Sequence, residues 1–199
     1  MLFPPHLSRL LVVFASLFVV AGALAATNQP ATSPAKAEAL VFGGTTYIHR
    51  WSKNGQNEYT PDADKDLSRW NDMVTINVHE SVRNGEQLAG LANGVLANYQ
   101  KHGKIVRTDS KPRTQQREAE HLIVAALGGG TFLEAAFARV VLVDGVGVVV
   151  VYSHRIYAKD AGGPMSEWLQ SRGPSIEKTL MTWDQIPSAA VLKRLPQSQ

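Results

Sequence analysis

No cysteine occurs anywhere in the 199 residues. That absence excludes thiol nucleophiles, cysteine-ligated zinc, disulfides and a lipid anchor on an N-terminal cysteine. A chain of this length can build a core without disulfides. An excess of one charge is also missing: 20 Lys and Arg stand against 17 Asp and Glu, a formal net charge of +3. Proteins that bind nucleic acid concentrate a stronger basic excess, so no nucleic-acid partner is expected. Catalytic signatures are absent too. There is no G-x-S-x-G, and His79-Glu80 lacks the second histidine of H-E-x-x-H. Gly128-Gly129-Gly130 is followed by neither a Lys-Ser/Thr pair nor a helix start, which leaves a turn rather than a phosphate cradle. Asp62, Asp64 and Asp66 lack the pattern of a calcium loop. The reading therefore names no catalytic residue and no cofactor.

Long apolar runs are scarce as well, and the one present is informative. Leu10 to Leu24 is uncharged, follows Arg9, and ends in Ala23-Leu24-Ala25-Ala26. It is shorter than the roughly 20 residues of a spanning helix. A short apolar run behind a basic residue and before small residues is a secretory signal peptide, assigned to 1–26 with cleavage after Ala25 or Ala26. The expected location is the periplasm or the exterior, with no stable membrane insertion after cleavage. The polar, proline-bearing stretch 27–39 reads as a flexible leader, 40–186 as a single α/β domain, and 187–199 as a C-terminal tail.

Periodicity gives the elements. Thr45 to Lys53 and Gln56 to Tyr59 flank Asn54-Gly55, a tight hairpin signal that places Trp51 opposite Glu58 and Arg50 opposite Tyr59. Met73 to His79 alternates as a strand. Glu86 to His102 carries Leu88, Leu91, Ala92, Val95, Leu96 and Tyr99 at helical spacing, with Gly103 at the stop position. Lys104 to Thr108 reads as a strand, Ser110 to Arg117 as a polar loop, and His121 to Leu127 as a strand. Thr131 to Val143 and Val146 to Ala158 form a hairpin about Asp144-Gly145, pairing residues whose numbers sum to 289, so that Glu134 faces Arg155. Both faces of that hairpin are apolar, so both should be covered. Met165 to Trp183 has a helical stripe interrupted at Gly173-Pro174, which predicts a bent or split helix. The fold class is α+β: a mostly antiparallel sheet covered by helices on both faces.

This order of elements resembles the PsbP/DcrB-like fold, an α/β/α sandwich found in exported proteins. The resemblance covers roughly residues 40–186. It rests on the order itself, on Trp51 with Tyr59-Thr60-Pro61 before the strand Met73–His79, and on the paired final strands before a terminal helix. It implies a non-enzymatic binding or assembly role.

Two constellations remain. Lys104, Arg107, Lys111 and Arg113 form a basic stretch that is either a solvated loop or an anion-binding patch for an acidic lipid head group, a lipopolysaccharide or an acidic protein. His79, His121 and His154 are candidate metal ligands if three strands bring them together. The function expected is a soluble exported binding or envelope-assembly protein whose partner is an envelope protein or an anionic ligand. The alternatives are an exported metal-dependent or hydrolytic enzyme and an inhibitor or immunity protein for an exported toxin.

Overall fold

The computed structural model describes residues 38–198. The signal peptide over 1–26 and the leader as far as residue 37 lie outside the described residues. Eight strands form one antiparallel sheet in the order β1-β2-β3-β4-β8-β7-β6-β5. In chain order these are β1 (Ala39–Phe42), β2 (Thr45–Lys53), β3 (Gln56–Thr60), β4 (Asp72–His79), β5 (Gly103–Lys111), β6 (Glu120–Gly128), β7 (Leu133–Val143) and β8 (Val146–Ile156). Helix α1 (Gly85–His102) carries the chain from β4 to the far edge, and α2 (Gly162–Thr182) follows β8. A short helix, α3 (Ala189–Leu192), lies near the end.

The apolar faces of β7 and β8 explain the layers. Phe137, Val148, Val150 and Tyr152 pack with Met165, Leu180 and Trp183 on the α2 side. Ala136, Ala138, Val140 and Val149 pack with Leu88, Leu91, Val95 and Tyr99 on the α1 side. The fold is α+β with helices on both faces, as the two-sided hairpin demands.

Turn chemistry sets the registers. Asn54 and Gly55 have φ of 52° and 83°, and Asp144 and Gly145 have 49° and 73°. Positive φ at both central residues matches the right-handed strand twist. Glu134 therefore faces Arg155 and Phe137 faces Tyr152. The Glu134 carboxylate accepts from Arg155 Nε at 2.7 Å, and the guanidinium lies between the rings of Trp70 and Phe132. The first hairpin departs from its expected pairing. A bulge at Arg50 puts His49, not Arg50, opposite Tyr59, with the two rings edge-on at 5.4 Å. Arg50 instead donates to Thr60 Oγ1 and the Pro61 carbonyl.

Further expectations need correction. Gly103 is extended rather than left-handed, and it opens β5. A Cβ there would run into the Ala126 carbonyl, so close strand approach is what requires glycine. Ser110 and Lys111 belong to β5, not to a loop. Helix α2 is not split: it runs through Pro174. Proline removes one donor there, but Met165 and Leu180 on either side of it are buried on the sheet and hold both halves in register. The residues read as a tail place Leu192 and Leu195 in the core. Ser198 N–H also donates to the Ser52 carbonyl at 2.7 Å.

One buried ion pair anchors the end of α2. Arg139 of β7 donates through Nη2 and Nε to Glu120 at 2.8 and 2.9 Å. Its Nη1 donates to the carbonyls of Leu180 and Trp183. Removing one member of a buried pair strands the other without compensation. Arg139→Ala is expected to lower stability by about 3–5 kcal/mol in urea unfolding of the mature chain. A loss below 1 kcal/mol would show that the pair is not what holds the helix end.

Candidate functional site

The four cations of the basic stretch do not gather into one site. A bulge between Ile105 and Arg107 shifts the register, so Lys104 pairs with Ala126 and Arg107 with Val124. Directly paired residues share a face, so the bulge turns Lys104, Arg107 and Lys111 all toward α2, where an unbroken strand would have separated Lys104 from Arg107. Two of these three are already engaged. Arg107 pairs with Asp109 at 2.9 Å and Glu177 of α2 at 3.5 Å. Lys111 donates to the Met181 carbonyl and lies 3.4 Å from Glu120. Arg113, beyond the strand, pairs with Glu118 at 3.3 Å. Lys104 is exposed. Arg107 and Lys111 hold the C-terminal half of α2, a use of cations that suits the negative end of a helix dipole.

The three histidines are not brought together either. His79 and His121 face the α1 side, on strands separated by β8 and β7, which is roughly 14 Å of sheet. His154 faces the α2 side and pairs with Asp72 at the opposite end of β4 from His79. Among the described residues no three His, Asp or Glu side chains could hold a metal ion. His121 Nδ1 lies 3.0 Å from Ser110 Oγ, and its Nε2 is buried without a partner among the described residues.

Two polar clusters arise that local sequence does not announce. The first joins His49, Ser52 and Asn57. The Asn57 amide donates to the carbonyls of Gly55 and Ile76, which fixes its Oδ1 as acceptor. Ser52 Oγ donates to that Oδ1 at 2.7 Å, and His49 Nε2 lies 2.7 Å from the same hydroxyl. With its proton directed to Asn57, Ser52 accepts from His49 and is not an activated nucleophile. Burial also lowers the His49 pKa, which keeps the ring neutral.

The second cluster is Asp72, Tyr152 and His154 under Trp168. Asp72 Oδ1 accepts from Tyr152 OH at 2.6 Å and from His154 Nδ1 at 2.9 Å. Burial pushes the carboxyl up, but the bonds from His154 and Tyr152 and the positive fields of His154 and Arg172 outweigh it and leave it below its usual value. Burial and the Asp72 charge raise the Tyr152 phenol, so it stays a donor. The imidazole stacks flat on Trp168, 4.2 Å between ring centres and 2° between planes. Asp72 thus orients the His154 ring with Nδ1 directed at the carboxylate. Proton-transfer catalysis also needs a reacting group within reach, and no nucleophilic side chain bonds this ring among the described residues.

A third feature is a half-sheet that, among the described residues, is less closely covered on its α1 side than on its α2 side, although Met73 at its start is buried. Helix α1 packs on β5, β6 and β7. Along β4 the α2-facing Val74 and Ile76 are fully buried, whereas the α1-facing Thr75 and Asn77 are only partly so. The ladder sets Trp51, Glu58, Thr75 and Val151 in one row and Lys53, Gln56, Asn77 and Val149 in the next. Val41 of β1 is 52% exposed on the same side. Sequence showed the alternation of β4 but not that α1 would serve the other half of the sheet.

Two half-buried histidines set an acid response. His49 and His79 both sit below their usual value because burial disfavours the imidazolium. An unfolded histidine takes up its proton near pH 6.5, so below that point the unfolded chain binds more protons than the folded one. Stability is therefore full above about pH 6.5 and declines as pH falls toward the folded values. The melting temperature is expected to drop between pH 7.5 and 5.5, and His49→Gln to flatten that drop. Equal slopes for the two proteins would remove His49 from the account.

No protein-family model matches the chain, and no curated protein matches it. Among solved structures it is similar to the Ran-binding protein Mog1p of Saccharomyces cerevisiae, at 14% identity and a TM-score of 0.43 over 71% of this chain and 88% of that one. A mutant of Mog1 gives 13% identity and the same TM-score over 72% and 90%. Neither likeness is specific to the PsbP/DcrB-like group.

Proposed function

We propose that this chain is an exported, non-catalytic binding protein whose partner is another protein of the envelope, met on the α1 side of β1 to β4, the less covered face among the described residues. The observation that carries this reading is the one-sided cover of that half-sheet. This face of four strands mixes Val41 and half-buried Thr75 and Asn77 with the longer side chains of Gln56 and Lys53. Protein interfaces have this mixed character, about as apolar overall as the rest of the surface. The expectation of export rests on residues 1–26 and on the PsbP/DcrB-like resemblance, and places the protein in the periplasm or outside the cell.

The test uses the full precursor in its own cells, with cross-linking in intact envelopes followed by N-terminal sequencing of the recovered chain. The recovered chain is expected to start at Ala26 or Thr27 and to carry a protein adduct. Thr75→Arg, on the half-sheet, should reduce the adduct at least tenfold. Asn93→Arg, on the exposed side of α1, should leave it unchanged. Retention of Met1 would end the export reading. Survival of the adduct in Thr75→Arg would end the assignment of the surface.

A further inference from the structure

A cavity of about 300 Å³ lies between the β2–β3 turn and the C-terminal segment. Val78 and Leu192 supply apolar lining, Asn54 and Gln197 supply amides, and Glu80 and Lys193 supply opposite charges. Glu80 Oε1 and Lys193 Nζ are 2.6 Å apart. Their side chains are 49% and 65% exposed, so the ion pair opens at little cost. The volume is at the small-molecule end of ligand sites.

We propose that this cavity binds a free α-amino acid with an aliphatic side chain. Such a molecule carries an ammonium and a carboxylate on neighbouring atoms, which is the charge pattern of the Glu80–Lys193 pair in reverse. Its ammonium faces Glu80 and its carboxylate faces Lys193, so one ion pair is exchanged for two. The aliphatic group lies on Val78, whose side chain is half-buried, while Leu192 beneath it is sealed in the core. A simple anion would satisfy Lys193 alone and leave Glu80 opposite like charge, and a simple cation would do the converse. A peptide end offers only one of the two charges. Lys193 and Gln197 belong to the C-terminal segment, whereas Asn54, Val78 and Glu80 belong to the sheet and its turns. The ligand therefore ties the segment to the sheet. The cavity is on the α2 side, so the inference stands apart from the protein-partner reading.

The experiment compares L-leucine with N-acetyl-leucine and leucinamide, which each lack one charge, on the mature chain. Melting temperature and amide hydrogen exchange are the readouts. Leucine at millimolar concentration is expected to raise the melting temperature saturably, because a ligand that binds only the folded state stabilises it by mass action. It should also slow exchange across Ala189 to Gln197. The two single-charge analogues should bind at least tenfold more weakly. Glu80→Gln and Lys193→Met, both at exposed positions, should melt like the wild type without ligand and lose at least tenfold in leucine affinity. No response to leucine, equal responses to all three compounds, or an unchanged response in both variants would overturn the proposal.

Discussion

Everything in this fold follows from a hairpin that has no solvent side. The paired strands β7 and β8 bury Phe137, Val148 and Val150 on one face and Ala136, Ala138 and Val140 on the other. Neither face can be left in water, so the chain supplies a helix for each. Helix α1 comes before the hairpin in sequence and α2 after it. Small residues on the α1 side, Ala136 and Ala138, let that helix lie close. Larger ones on the α2 side form an aromatic layer, in which Tyr152 stacks with Phe42 and Trp168 and Phe137 meets Trp168 edge-on.

The second constraint is the end of α2. A helix C-terminus leaves carbonyls unpaired, and α2 has no basic residue in its last turn. The sheet provides the donors instead. Arg139 reaches two of these carbonyls and Lys111 a third. Glu120 then neutralises Arg139 from beneath. The basic stretch that reads in sequence as a surface feature is thus partly interior architecture. Its charge is directed at a helix end and at Glu177 rather than outward.

The local parts of the fold were legible, and the parts set by distant contact were not. Asn54-Gly55 and Asp144-Gly145 announced their turns, and the second fixed the Glu134–Arg155 pair from residue numbers alone. Bulges carry no comparable signal, so the displaced Arg50 and the realigned Lys104 and Arg107 could not be read. Pro174 signals a break in isolation, yet packing on either side of it holds α2 together. Leu195 lies among polar residues and Leu192 ends a run of only four apolar ones, and contact with the core beneath them makes both part of the domain. The histidine grouping failed on parity for His154 and on distance for His79 and His121, which share a face with two strands between them. His154 shares a face with Tyr152 and Val150, whereas His79 alternates against Val78, which was visible in the strands themselves. Asp72 was out of reach for a different reason. It lies 82 residues from His154 and joins it only through the pairing of β4 with β8.

That pairing divides the chain in an instructive way. Strands β1 to β4 form one run of sequence neighbours and β5 to β8 another, and among the described strands the two runs are hydrogen-bonded to each other through the ladder from Asp72–His154 to His79–Gly147. Each run can assemble from nearby residues at small loop-closure cost. The seam between them cannot begin to form until the last strand exists, and such non-local pairing is what slows folding. The ladder also brings Gly147 under Val82, where a Cβ would stand 2.6 Å from the valine Cβ. The seam is therefore both the last strand pairing available to a growing chain and a contact with little tolerance for added bulk.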